Sequence, residues 1–290
     1  MSIACLNGEW QAIEDTRVSV LDRGFMFGDG VYEVIPVYRG RIFGEDEHLS
    51  RLNRSLGELH LTAPMSDDAW RALFQEAVQR GAEQDAIIYV QVTRGVARTR
   101  SHAHPEVEPT VLVTLTAMPD RKNIRPLSVM TKEDIRWGRG DIKVVSLAAN
   151  GLLRNEAMAD GYDDAILVRD GKVTETTSSN VFVVKDGVIV TPPLSRFLLP
   201  GVTREQVITL VKQNCMRCEE RDLDKSELYD ADEIWISSTT YTIRPIGKVD
   251  DQPIGNGQAG PVYQKVYQLF QQKIHTAGST VTNHRKICDQ

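Results

Sequence analysis

The chain has 290 residues, 41% of them apolar and 26% charged, with a formal net charge of −6. That length can bury a substantial core as one large domain or two modest ones. A mildly acidic chain without a dense Lys/Arg cluster gives no electrostatic reason to expect nucleic acid or an anionic membrane as its main partner. The longest apolar runs, such as AIIYVQV at 86–92, are too short to span a bilayer. The first residues, MSIACLNGEWQAIED, lack the basic and apolar regions of a secretory signal, so a cytoplasmic location is expected.

In chain order, the segments RVSVL (17–21), VYEVIPVYRGRIF (31–43), AIIYVQVTR (86–94) and TVLVTLTAM (110–118) are rich in β-branched and aromatic residues and read as strands, with Arg39-Gly40 marking a hairpin turn. Between them, residues 47–61 carry Leu49, Leu52, Leu56 and Leu59 along one helical face, and residues 66–80 show the same period after a serine start. The two prolines and the charge run of AMPDRKNIRPL (117–127) interrupt this α+β pattern and mark the boundary between a domain of residues 1–118 and one of 119–290. Strands then follow at 127–131, 142–147, 164–168, 180–190 and 232–239, with Asp186-Gly187 as a hairpin turn. Helices are expected near 149–159, 203–214 and 260–276. The polar tail 278–290 has no period and reads as loosely ordered. Of the four cysteines, Cys215 and Cys218 form a C-x-x-C without a second pair or a nearby histidine, so no zinc site is expected. Their surroundings have helical spacing, which would place both on one helix face.

One residue interrupts its surroundings. Lys143 sits within Ile142, Val144, Val145 and Leu147, which read as a buried strand. Either its stem packs while the ammonium reaches water, or the desolvated amine is a nucleophile able to form a Schiff base with a carbonyl compound. The second reading requires an aldehyde cofactor, an anion site for its phosphate and a group that tunes its ring. At about 100° per residue, Arg51 lies at the flank of the leucine stripe and Arg54 opposite it, so Arg51 points inward. Thr203 follows the Pro200-Gly201 turn at the start of a helix; the arrangement is either a capped helix or an anion site of amides and a hydroxyl. Ser237, Ser238, Thr239 and Thr240 cluster at a strand end, as a turn or as further phosphate ligands. Glu175 is either a surface carboxylate or the partner that keeps a pyridine nitrogen protonated.

Taken together, LDRGFMFGDGVYEVIPVYRGRIFGEDEHLSRLNRSL, DIKVVSLAANGLLRNEA, VTETTSSNVFVVKDG, LPGVTREQV and ISSTTYTIRPI resemble, in order and spacing, the class IV (fold type IV) pyridoxal-phosphate aminotransferases, most closely the D-amino acid aminotransferases. The likeness spans about residues 7–250. It implies an α+β, two-domain fold type IV enzyme with pyridoxal 5′-phosphate in the interdomain cleft, and a lysine carried by the C-terminal domain. By resemblance Lys143 forms the Schiff base and shuttles the Cα proton. Arg51, the backbone amides of Val202 and Thr203, and the hydroxyls of Thr203, Ser238 and Thr239 hold the phosphate. Glu175 meets the pyridine nitrogen, Leu199 packs beside the ring and Tyr32 neighbours the substrate carboxylate. Arg154 occupies a place that often holds another lysine in relatives.

Enzymes of this family that take D-amino acids bind the carboxylate with an R-x-H after the TRG strand. Here TRGVARTRSHAHP is one residue longer. Alignment from the proline selects Arg100 with His102, alignment from TRG selects Arg98, and the R-x-H spacing favours the former. The resemblance implies transamination between a D-alanine-like amino acid and a 2-oxo acid such as 2-oxoglutarate or pyruvate, by a homodimer without metal. The alternatives on the same scaffold are an aminodeoxychorismate lyase and a branched-chain L-amino acid aminotransferase. A non-catalytic binding protein is the remaining alternative outside enzymes.

Overall fold

Two clusters of apolar residues organise the chain into two units in the computed structural model, which describes residues 3–119 and 125–276. The first unit takes in the chain up to Pro119 together with Ile142–Leu147. Its strands are β1 (Ile3–Leu6), β2 (Glu9–Ala12), β3 (Gly30–Tyr38), β4 (Arg41–Ile42), β5 (Ala86–Thr93) and β6 (Thr110–Ala117), in the antiparallel order β2-β1-β6-β5-β3-β4. Its helices are α1 (Arg23–Phe27), α2 (Glu45–Glu58) and α3 (Asp67–Arg80).

The leucine stripe of α2 explains how this unit closes. Leu49, Leu52 and Leu56 are each 1% exposed and belong to one cluster with Ile35, Ile88, Trp70 and Phe74, each such burial stabilising by about 1.5–3 kcal/mol. Glu45, Asp46 and Glu47 fill the first turn of α2, where negative charge complements the helix dipole. On α3 the Ser66 hydroxyl caps the helix by accepting from the Ala69 amide at 3.3 Å. The stripe fixes the rotation of α2, so Arg51 is buried and Arg54 exposed, as the angular argument expects.

The second unit holds β7 (Leu127–Glu133), α4 (Ala148–Ala159), β8 (Asp164–Arg169), β9 (Lys172–Thr176), β10 (Asn180–Lys185), β11 (Val188–Thr191), α5 (Val202–Gln213), β12 (Cys218–Glu220), β13 (Glu233–Ser238), β14 (Thr242–Val249), β15 (Gln252–Pro253) and α6 (Pro261–Thr276). Its sheet runs β12-β11-β10-β13-β14-β7-β8-β9, with β15 on β14. The β11/β12, β14/β7 and β7/β8 pairs are parallel and the rest antiparallel. Asp186 and Gly187 both have positive φ at the β10/β11 turn, the conformation that a tight hairpin of this type demands.

Several expectations need correction. Residues 17–21 form no strand, and Val18, Val20 and Leu21 are exposed; their alternation reflects no paired backbone. Residues 142–147 are not a sheet strand of the C-terminal domain and belong instead to the first unit. Val144 makes an isolated bridge to Val31, the Tyr32 amide donates to the Lys143 carbonyl at 3.0 Å, and the Val145 amide donates to the Gly30 carbonyl at 3.0 Å. Ile142 and Val144 are buried in the first cluster, so the segment runs apolar without being a strand. The boundary of 1–118 and 119–290 is thereby modified: Lys143 belongs with the N-terminal unit. Cys215 and Cys218 do not share a helix face, because α5 stops at Gln213, Cys215 has φ 55° and Cys218 opens β12. The tail 278–290 with Cys288, and residues 120–124 of the expected boundary, lie outside the described residues. Among the described residues no helix is long and apolar enough to cross a membrane, and no group of three or more His, Cys, Asp or Glu could hold a metal ion.

Candidate active site

In the first unit the chemistry gathers beside β3. Lys143 is half-buried, and its ammonium nitrogen lies 4.1 Å from the centroid of the Tyr32 ring, a cation–π arrangement. Its own amide donates to the Ser55 hydroxyl on α2 at 3.4 Å. Backbone and side chain together therefore bring Lys143 and Tyr32 into one place.

Next along β3, Glu33 points the other way, as strand alternation requires, and is fully buried. Arg51 donates to it through Nε at 2.7 Å and Nη2 at 2.9 Å, and His48 Nδ1 lies 2.8 Å from Oε2. Burial by itself would push the Glu33 pKa up, but the Arg51 charge and the bonds from Arg51 and His48 overcome it, holding the carboxyl well below the usual range. Burial pushes the His48 pKa down despite its Glu33 partner, and because a carboxylate only accepts, His48 Nδ1 is the donor of this bond. Arg51 is thus inward-facing as expected, with two of its nitrogens engaged by Glu33. The sequence carried a signal for Glu33: like Lys143, it is a charge within an apolar run.

The loop after β5 is exposed at Arg98, Arg100 and His102. Arg100 places its guanidinium carbon 4.9 Å from the Phe27 centroid, and the His102 ring meets the same phenyl edge-on at 5.8 Å. Arg23 also lies over Phe27, at 4.6 Å, and donates to the Ser101 carbonyl at 2.6 Å. Arg100 and His102 therefore share one aromatic platform, at which Arg98 makes no ring contact among the described residues. Phe27 and Arg23 were not legible as loop anchors, since they lie some seventy residues away in the chain.

The second unit carries its own polar centre around Glu175 of β9, which is 5% exposed. Its Oε1 accepts from Arg136 Nη1; its Oε2 accepts from Asn180 Nδ2 and from the Leu199 amide, each at 3.2 Å. Arg136 directs its remaining donors mainly to Asp134, at 2.9 Å through both Nε and Nη2, and to the Phe197 carbonyl at 2.9 Å. Burial raises the Glu175 pKa, and the Arg136 charge only partly offsets it. Asn180 also donates to the Leu199 carbonyl at 2.9 Å, so Leu199 is clamped at both its amide and its carbonyl.

Beyond Leu199 the chain passes through Pro200 and Gly201 into α5. Gly201 is the N-cap and no side chain caps the helix, so the amides of Val202 and Thr203 are not engaged by a capping side chain and are suited to an anion. Thr203 is the second helical residue, not the cap. A Cβ on Gly201 would lie 2.1 Å from Asn180 Oδ1, so a side chain there would displace the Asn180 amide that holds Glu175 and Leu199. Against α5 packs β13, at whose end the Ser238 hydroxyl accepts from the Tyr241 amide at 3.2 Å and lies 3.3 Å from the Thr240 hydroxyl. The buried hydroxyls of Ser179 and Ser237 have no hydrogen-bond partner among the described residues. Orphaned hydroxyls and an uncapped helix start that can donate, with a buried carboxylate that accepts, are groups that fit a phosphorylated pyridine.

The chain is similar to known proteins over most of its length. The family model described as "Amino-transferase class IV" matches residues 30–249. A D-alanine aminotransferase of Bacillus licheniformis is 37% identical over 270 residues, covering 92% of this chain and 95% of that protein. Among solved structures, the branched-chain amino acid aminotransferase from Escherichia coli superposes with a TM-score of 0.85 at 26% identity, covering 93% of each chain. A branched-chain amino acid aminotransferase of T.th., solved with pyridoxamine 5′-phosphate, gives 0.87 at 26%, covering 94% of this chain and 93% of that one. The chain accordingly belongs to the class IV aminotransferases, enzymes of fold type IV that depend on pyridoxal phosphate.

Proposed function

We propose that this aminotransferase exchanges nitrogen between a D-amino acid of the D-alanine type and a 2-oxo acid such as 2-oxoglutarate or pyruvate. The observation that carries the reading is the joint seating of Arg100 and His102 on Phe27, supported by curated relatives named D-alanine aminotransferase at about 37% identity. Solved neighbours that act on branched-chain amino acids stand at lower identity, near 26%.

When bound, pyridoxal phosphate supplies an aldehyde that condenses with amines and a ring that accepts the electron pair released at the substrate Cα. Lys143 Nζ takes the Cα proton, and Tyr32 beside it neighbours the substrate carboxylate. Arg51, the Val202 and Thr203 amides and the hydroxyls of Thr203, Ser238 and Thr239 hold the phosphate. Glu175 keeps a negative charge against the ring nitrogen, Leu199 lies beside the ring, and Arg100 with His102 takes the substrate carboxylate. Val18, Val20, Leu21, Phe25 and Val96, all exposed in the first unit, support a homodimer that covers them, and the enzyme is read as cytoplasmic.

Activity over a panel of D- and L-amino acids with pyruvate and 2-oxoglutarate tests the reading. D-alanine or a similar D-amino acid is the expected best donor, and activity confined to L-amino acids sinks the assignment. Lys143→Ala should abolish turnover while cofactor is retained. Arg100→Ala should lower kcat/KM for D-amino acids about tenfold or more, the scale of a lost hydrogen bond to a charged group, whereas Arg98→Ala should be mild. The reverse order places the carboxylate on Arg98.

A further inference from the structure

The second unit contains a polar cavity of about 320 Å³ that shares no residue with those assigned to cofactor or substrate. Arg154 of α4, Tyr241 and Arg244 of β14 line it, together with Tyr162, Asp163 and Asp164. Both guanidiniums are half-buried, yet neither makes a salt bridge among the described residues. Arg154 Nη2 donates to the Tyr241 hydroxyl at 3.4 Å. Arg244 Nε donates to the Arg125 carbonyl at 3.4 Å, and its guanidinium carbon lies 5.1 Å from the Tyr241 centroid. Each guanidinium has five N–H donors, so most of them are uncommitted.

The carboxylates of the cavity are already engaged. Asp163 takes a two-pronged pair from Arg125 and the Ser128 amide at 2.9 Å. Asp164 Oδ1 accepts from the Thr177 hydroxyl and from the Ala165 amide at 2.8 Å. The lining thus holds two guanidiniums, Arg154 and Arg244, and two carboxylates, of which Asp163 is already paired with Arg125 from outside the cavity. The Tyr241 hydroxyl accepts from Arg154 and retains its own proton to donate.

From this geometry we infer that the cavity is a binding site for one small oxyanion, a phosphate or a short dicarboxylate, held by Arg154, Arg244 and the Tyr241 hydroxyl. Paired planar guanidiniums match the forked oxygens of such anions. The volume stands at the small end of ligand sites, which limits the anion to a small one. No part of the inference requires the substrate proposed above.

Calorimetric titration of the cofactor-loaded enzyme with inorganic phosphate, and separately with succinate, tests it, because the loaded cofactor already fills its own phosphate site. At least one anion should bind saturably, and Arg244→Gln should weaken it tenfold or more, with Arg154→Gln doing the same and the cofactor absorbance unchanged. Should Arg154→Gln fail to fold, Arg244→Gln and Tyr241→Phe decide. Binding of phosphate alone assigns the site to phosphate; binding of succinate alone assigns it to dicarboxylates. No saturable binding, or binding equal in wild type and Arg244→Gln, overturns the inference.

Discussion

Two buried glutamates, one in each unit, are each paired with a buried arginine, and they end with opposite electrostatic characters. Glu33 receives two bonds from Arg51 and a third from His48, and its pKa is driven down. Glu175 receives a single Arg136 N–H, because that guanidinium is shared with Asp134, and its pKa is driven up by burial. Burial opposes the charge at both sites; Arg51 and His48 together overcome it at Glu33, and Arg136 does not overcome it at Glu175. A carboxylate held jointly by an arginine and a histidine is a fixed anion; one whose arginine also serves Asp134 stays responsive to what binds next. A protonated ring nitrogen at Glu175 would supply the charge that Arg136 withholds.

The largest effect that could break this contrast is on stability. Glu33→Gln should cost about 3–5 kcal/mol in urea denaturation, because it strands the buried Arg51 charge. A loss below about 1 kcal/mol would show that Arg51 is not balanced by Glu33. For Glu175→Gln the expected stability change is within about 1 kcal/mol, since Arg136 keeps Asp134, while kcat falls more than cofactor affinity does. Unchanged kcat, where proton abstraction limits the rate, would make Glu175 structural.

The smallest effect sharpens the contrast through pH. A depressed Glu33 pKa gives a contribution that is complete above the ordinary glutamate value, about 4.3, and is lost as pH falls towards the folded-state value. A raised Glu175 pKa acts oppositely, because between the two values the folded state binds the extra proton, so stability declines as pH climbs past about 4.3. Cofactor-free protein denatured at several pH values between about 2 and 7 should therefore show wild type gaining on Glu33→Gln as pH rises towards about 4.3, and losing ground to Glu175→Gln above it. Parallel curves for the two variants would refute the opposite shifts.

What the sequence made legible followed from local periodicity. A charge inside an apolar run marked Lys143, and the angle to the leucine stripe separated Arg51 from Arg54. The hairpin at Asp186-Gly187 needed only its two residues. Periodicity failed where apolar character had another cause: Val18 and Val20 alternate while exposed, and Ile142 and Val144 are buried through one bridge instead of a ladder. Nor could it find Arg136, which lies 39 positions from Glu175, or Phe27 beneath Arg100 and His102, because tertiary pairing leaves no mark on either neighbour's spacing. The C-x-x-C misled for a different reason, as the helical pattern around it continued past the helix end at Gln213.

The six-residue return of Ile142–Leu147 to the first unit has a consequence for dissection and recombination. The chain passes between the units three times, so no single cut yields both units whole. A fragment ending at Pro119 would retain Tyr32, Glu33 and Arg51 but lose the amine, leaving the Gly30 carbonyl and Tyr32 amide without the segment that engages them. Exchanging halves between relatives at the apparent boundary would pair one parent's lysine segment with the other parent's β3. The unit of inheritance for this chemistry is therefore a discontinuous stretch of chain, and chimeras that respect it should carry residues 142–147 along with the N-terminal parent.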